Sequence, residues 1–158
     1  MKVYVAGVGM GTLDSLTGGC SQAILESDVI FGAERMLETA RQVLDAAGRE
    51  YPQLVSAISP TPIVQNLAEA NMTTTACVLC SGDVGFFSLA STLVKALSEM
   101  DQEVQVELVP GLTTFQYLAS RIGRSWQGIK LASAHGRDCD VLGEVLAHPE
   151  VFLLTGGE

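Results

Sequence analysis

Apolar and polar positions along this chain follow two alternating rhythms. Residues 2–8, 28–32 and 74–81 are short, nearly continuous apolar runs. Runs of that length bounded by glycine, serine or asparagine predict buried strands. Residues 103–109 alternate charged or polar with apolar side chains and predict a half-exposed strand, and residues 53–56 a weaker one. Between these runs lie segments of helical period at 16–27, 33–47, 60–71, 87–100 and 112–122. Gly48 follows the second as a C-cap, Pro60 and Pro62 open the third, and Pro110-Gly111 separates the last strand from the last helix. Strands alternating with helices predict βαβ units and a parallel sheet, hence an α/β fold.

A second α/β pattern follows. Residues 123–128 read as a connection, 129–134 as a strand, 141–147 as a helix and 151–155 as a strand, and the chain stops at Gly156-Gly157-Glu158. The expected organisation is an N-terminal α/β domain over residues 1–122, then a linker and the start of an incomplete second α/β domain over 123–158. No internal repeat or low-complexity tract interrupts either part.

Composition agrees with this reading. The 158 residues are 47% apolar but only 6% aromatic, so the core is built from Val, Leu, Ala and Ile, as suits helices on a buried parallel sheet. The formal charge of −9 argues against a broad basic surface for nucleic acid. Basic contacts to an anionic ligand therefore have to be local. No apolar run approaches the roughly 20 residues of a membrane span, and the segment before the first glycines is too short for a signal-peptide core. The expectation is a cytoplasmic protein with no membrane partner.

Cys77-Val78-Leu79-Cys80 has the C-x-x-C spacing. Redox and zinc sites place that spacing in a turn or at a helix start, where both sulfurs converge. On a strand, positions three apart face opposite sides of the sheet. Both thiols are therefore expected in the core, and no metal site is expected.

Three loops carry the candidate chemistry. They fall at the carboxyl ends of predicted strands, where parallel sheets bind ligands. The first is Gly7-Val8-Gly9-Met10-Gly11, then Thr12 to Thr17. It does not fit a dinucleotide fingerprint, which needs G-x-G-x-x-G running straight into a helix and an acid at the end of the next strand. Here the third glycine comes one position early, loop residues intervene before the helix, and the second strand ends Ile30-Phe31-Gly32. Thr17 is a natural N-cap. The second loop is Ser81-Gly82-Asp83-Val84-Gly85-Phe86-Phe87-Ser88. Its glycines free backbone groups for a ligand, and Asp83 is placed either to accept a ligand hydrogen bond or, with Ser88, to cap the next helix. The third is Val109-Pro110-Gly111-Leu112-Thr113-Thr114, whose threonines either cap a helix or present hydroxyl and N–H groups to a carboxylate.

Together these loops resemble the class III, or tetrapyrrole, S-adenosylmethionine methyltransferases. That family pairs a G-x-G-x-G then L-T start with a strand ending G-D-P-x-x-x-S and a P-G-[IL]-[ST]-[ST] loop, and this chain carries all three in order. The resemblance runs from Lys2 to about Arg137. Gly32-Ala33-Glu34-Arg35-Met36-Leu37, residues 116–123, Trp126-Gln127 and Ser133-Ala134-His135-Gly136-Arg137 are most similar to the precorrin-6Y methylase and cobalt-precorrin-7 carbon-5 methyltransferase branch. One position departs: Val84 stands where the family usually has proline, which loosens the loop and is expected to alter affinity rather than abolish function.

The resemblance implies two α/β domains with S-adenosylmethionine in the cleft between them and no metal. It implies methyl transfer to a meso carbon of an anionic corrin precursor in cobalamin biosynthesis. Gly9, Gly82, Asp83, Phe86, Thr113 and Thr114 are the implied cofactor-binding residues. Arg35 and Arg137 are candidate anchors for substrate carboxylates, since arginine binds carboxylate bidentately. His135 is the candidate proton acceptor. The resemblance further implies a homodimer and a decarboxylating methylase as partner subunit or fused domain. Two other readings stay open at this point: a different methylase of the family, such as another precorrin methylase or diphthine synthase, and a non-catalytic ligand-binding domain.

Overall fold

The computed structural model describes residues 1–136 and 138–156. The chain divides into two compact units, Met1–Thr114 and the part from Phe115 onward.

The first unit contains β1 (Lys2–Gly7), α1 (Gly18–Leu25), β2 (Val29–Gly32), α2 (Glu34–Ala46), β3 (Gln53–Ser56), α3 (Pro60–Ala68), β4 (Thr75–Cys80), α4 (Ala90–Ser98) and β5 (Gln105–Val109). A short 3₁₀ turn, Leu13–Ser15, precedes α1. All five strands run parallel in the order β3-β2-β4-β1-β5. β1 registers residue by residue with β4, from Lys2 opposite Thr75 to Gly7 opposite Cys80, and on its other side places Ala6 opposite Val109 of β5.

Side-chain alternation along the strands feeds two cores. Tyr4, Ala6, Ile30, Cys77 and Leu79 pack with Ile24 of α1 and Leu37, Ala40 and Leu44 of α2. Val3, Val5, Phe31, Val78 and Cys80 pack with Ile63 and Leu67 of α3 and Leu93 and Leu97 of α4. Steps toward the β3 edge thus use helices on one face, and steps back toward β5 use the other, as a uniform crossover hand requires. β4 and β1 are neighbours whose connections leave on opposite faces. Their carboxyl ends therefore open a crevice, the usual ligand position in such sheets.

Cys77 and Cys80 lie in different cores, as strand geometry demands, and both are free thiols. Burial pushes Cys77 well above the usual thiol range and Cys80 up to about 12. Among the described residues no cluster of His, Cys, Asp or Glu is arranged to hold a metal ion. Gly48 closes α2 at φ +62°, with the Arg49 N–H returning to the Leu44 carbonyl at 2.9 Å. No helix among the described residues is long and apolar enough to cross a membrane.

The second unit holds α5 (Thr114–Arg121, from its second residue), β6 (Lys130–Ser133), α6 (Val141–Ala147) and β7 (Val151–Leu154). β6 and β7 form a two-stranded parallel sheet. The Phe115 ring packs against Phe152 at 4.9 Å and Trp126 at 5.8 Å, so this helix belongs with the segment that follows it.

Candidate functional site

The strand order brings the three candidate loops together. Because β1 lies between β4 and β5, the loops after Gly7, Cys80 and Val109 emerge side by side. They meet backbone to backbone. The Gly9 N–H donates to the Gly82 carbonyl at 3.0 Å and the Gly82 N–H returns to the Gly9 carbonyl at 3.1 Å, an isolated antiparallel bridge. A Cβ on Gly7 would stand 2.4 Å from the Gly82 carbonyl oxygen, and one on Gly111 only 2.2 Å from it. Side chains at 7 and 111 would therefore hold the loops apart. Gly82 itself needs the left-handed region, at φ +67°.

Side chains then lock this contact. Asp83 Oδ1 accepts from the Gly85 N–H at 2.8 Å within its own loop, and Oδ2 accepts from the Gly111 N–H at 2.9 Å in the next. Ser15 Oγ accepts from the Met10 N–H at 3.0 Å and donates to the Thr12 carbonyl at 2.9 Å, folding the first loop on itself. Thr39, buried on α2, donates its hydroxyl to the Gly11 carbonyl at 3.1 Å. Thr17 accepts from the Cys20 N–H at 3.1 Å as the N-cap of α1. These polar residues were not all visible as functional in the sequence. Ser15 and Thr39 carry no motif of their own, and their signal is only that hydroxyls sit where the loop's free N–H and C=O groups need partners.

The second loop also corrects an expected boundary. α4 begins at Ala90 rather than Phe87. Phe87 sits at φ +49°, outside helical geometry, and stacks edge-on against Phe86 at 4.8 Å. Ser88 Oγ accepts from the Ala90 N–H at 3.2 Å while donating to the Val84 carbonyl at 2.5 Å, so Ser88 and not Asp83 serves this end of the helix. Val84, at the position of the usual proline, packs partly against the α3/α4 core.

Gly9, Gly82 and Asp83 are thus joined in one assembly with Phe86, whose N–H donates to the Asp83 carbonyl at 3.2 Å. Thr113 is buried beside them, its Cα 3.9 Å from a Cβ built on Gly82, and Thr114 follows it, exposed. Arg35 lies in the first turn of α2, exposed and with no ion pair among the described residues. His135 is exposed in the second unit, its N–H donating to Ser133 Oγ at 3.3 Å. Arg137 lies outside the described residues. Clefts also lie away from the loops, among them one of about 570 Å³ between α3 and α4 and one of about 230 Å³ in the second unit beside Phe115 and Phe152. Neither gathers any residue of the three loops, although the second is lined by Leu118, Ala119 and Ile122 of the 116–123 stretch.

The donor set states what the loops suit. Residues 7–17, 81–89 and 110–114 contain no lysine or arginine and carry the acids Asp14 and Asp83. The Gly9 N–H is already taken by Gly82, and α1 starts only at Gly18. A pyrophosphate would find neither a basic side chain nor a helix N-terminus at the glycines. Two acids and no base favour a cationic ligand over a phosphate at these loops.

The sequence matches the Tetrapyrrole (Corrin/Porphyrin) Methylases over residues 2–157. It is 27% identical over 153 residues to a precorrin-6Y C(5,15)-methyltransferase [decarboxylating] of Sinorhizobium sp., covering 96% of this chain and 34% of that protein. The chain therefore spans about a third of that relative's length. The fold is similar to a precorrin-6Y methylase from Archaeoglobus fulgidus, with TM-score 0.65, 19% identity and coverage of 96% of this chain and 72% of the other. It is also similar to a uroporphyrin-III C-methyltransferase from Thermus thermophilus complexed with S-adenosylhomocysteine, with TM-score 0.63, 23% identity and coverage of 89% and 64%.

Proposed function

Since the chain belongs to the tetrapyrrole methylase family, we propose that its three glycine loops bind S-adenosylmethionine and that the protein methylates a meso carbon of a corrin precursor in cobalamin biosynthesis. The observation that carries this reading is the convergence of all three family motifs on the β4-β1-β5 carboxyl ends, in loops suited to a cation and unsuited to a phosphate. The similarity to the Sinorhizobium enzyme supports the precorrin-6Y branch.

When bound, S-adenosylmethionine supplies an electrophilic methyl group on a sulfonium sulfur. The protein's task is then alignment and exclusion of water, which is proximity and orientation catalysis. In this reading Gly82, Asp83 and Phe86 line the cofactor with Gly9 buttressing them, and Thr113 and Thr114 close around it. Arg35 and Arg137 anchor substrate carboxylates, and His135 takes the proton released after transfer. The reading includes a homodimer working in the cytoplasm with a decarboxylating methylase as partner, which light scattering and co-purification address.

Calorimetric titration of the full-length protein with S-adenosylmethionine tests the first step, and its failure to bind would sink the enzyme reading. Incubation with a precorrin-6Y-type substrate followed by mass spectrometry tests the second. A gain of one methylene unit at a meso carbon supports it, and methylation only of a different tetrapyrrole moves the activity elsewhere in the family.

A further inference from the structure

One peptide group in the site is held from both ends. The Pro110 carbonyl accepts from Thr17 Oγ1 at 3.1 Å, and the Gly111 N–H of the same peptide donates to Asp83 Oδ2 at 2.9 Å. Thr17 comes from the segment after β1 and Asp83 from the loop after β4. Two neighbouring loops therefore grip the peptide plane of the third.

The need for such a grip follows from Gly111. Glycine is obligatory there, because a Cβ would overlap the Gly82 and Gly7 backbones. Glycine also leaves its preceding peptide free to rotate, since no side chain restricts φ. Rotation of the 110–111 plane would redirect Leu112 and Thr113. Close approach demands the one residue that cannot hold its own orientation, and the two side-chain bonds restore it.

We propose that Thr17 and Asp83 are positioning residues that lock the Pro110–Gly111 peptide plane and thereby orient the Thr113 loop for the methyl donor. For its ligand the inference rests on the function proposed above; for the lock it rests on geometry alone. Asp83 thus acts chiefly through Gly111, and Thr17 has a role beyond capping α1.

Thr17→Asp separates those two roles. Aspartate still accepts from the Cys20 N–H as an N-cap, but an ionised carboxylate has no proton to donate to Pro110. Thr17→Ser keeps both functions, and Asp83→Asn keeps shape while removing the charge and one of the two acceptors. Two readouts are taken on the full chain: the amide resonance and hydrogen exchange of Gly111 by NMR, and S-adenosylhomocysteine affinity by calorimetry. We expect Thr17→Asp to keep the α1 cap, lower the urea midpoint by about 0.3–1 M, broaden or shift the Gly111 resonance, speed its exchange and weaken S-adenosylhomocysteine roughly 3- to 10-fold, the scale of one neutral hydrogen bond. Asp83→Asn should weaken it by more than about 10-fold, as for a charged acceptor. Thr17→Ser should restore parental values. An unchanged Gly111 amide in both Thr17→Asp and Asp83→Asn overturns the lock, and so does parental affinity in both. If the full-length protein binds no S-adenosylhomocysteine while Gly111 responds as expected, the lock stands and the proposed function falls.

Discussion

Gly111→Ala is the most incisive single substitution in this chain. Its Cβ would lie 2.2 Å from the Gly82 oxygen, 2.7 Å from the Gly7 oxygen and 2.8 Å from the Gly7 carbonyl carbon. All three are backbone atoms, so no flexible side chain can yield. Ordinary contact needs the loops to part by about 1 Å or more. That movement pulls the Gly111 N–H from Asp83, at 2.9 Å, and the Pro110 carbonyl from Thr17, at 3.1 Å. One neutral bond at about 1 kcal/mol and one to a charged acceptor at about 1.5–3 kcal/mol sum to roughly 2.5–4 kcal/mol.

Urea unfolding reads this directly. With a slope of about 1–3 kcal/mol per molar, the midpoint should fall by roughly 2 M. Exchange of the amide proton at position 111 should accelerate in parallel. Gly18→Ala is the control: a Cβ there meets nothing within 4 Å, so it should be neutral or stabilise by about 0.4–1 kcal/mol through the unfolded chain. A Gly111→Ala midpoint within about 0.3 M of the parent would refute the view that backbone contact between the loops holds this site together.

Four further outcomes are expected. Thr39→Val keeps volume but leaves the Gly11 carbonyl without its 3.1 Å donor and should cost about 1 kcal/mol by denaturation, with faster exchange in residues 10–12. Gly48→Ala meets no atom within 4 Å, so its cost of about 1–2 kcal/mol in thermal unfolding reports only the backbone strain at φ +62°. Iodoacetamide at about pH 8 should label Cys139, which is half-buried, and spare Cys20, Cys77 and Cys80 until the chain unfolds, as mass spectrometry of peptides would show. Burial pushes Cys20 up to about 11 and Cys80 up to about 12. Unfolded thiols ionise near 8.5, so above that pH the unfolded state releases protons the folded state keeps. Stability should be full below about pH 8.5 and fall by up to about 1.4 kcal/mol per pH unit per thiol as pH rises toward 11, which denaturation at stepped pH measures.

Much of this protein is legible without coordinates. The Gln53–Ser56 strand and the Val141–Ala147 helix end where their patterns end, and the Gly48 cap and the opposed faces of Cys77 and Cys80 follow from local geometry. The three loop motifs, with the family they signal, are equally local, because each is a short string in which glycine, proline or a hydroxyl has one physical use. What the string cannot contain is adjacency. Strand order is set by crossovers of many residues, so only the fold reveals that β1 lies between β4 and β5 and that Gly82 and Gly111, about 75 and 104 residues further along the chain, close on Gly7. Gly7 therefore reads as one of a run of alternating glycines and Gly111 as a break between strand and helix, when both first serve contact with other backbone. Asp83 reads as a ligand or cap when both its oxygens are spent on loop N–H groups. Phe87, a helix former by period, is turned out of the helix by its loop. Local pattern decides which elements form, because backbone hydrogen bonding and amphipathic period are short-range. Which of their ends meet, and hence what each loop residue is for, is decided by packing between distant parts of the chain.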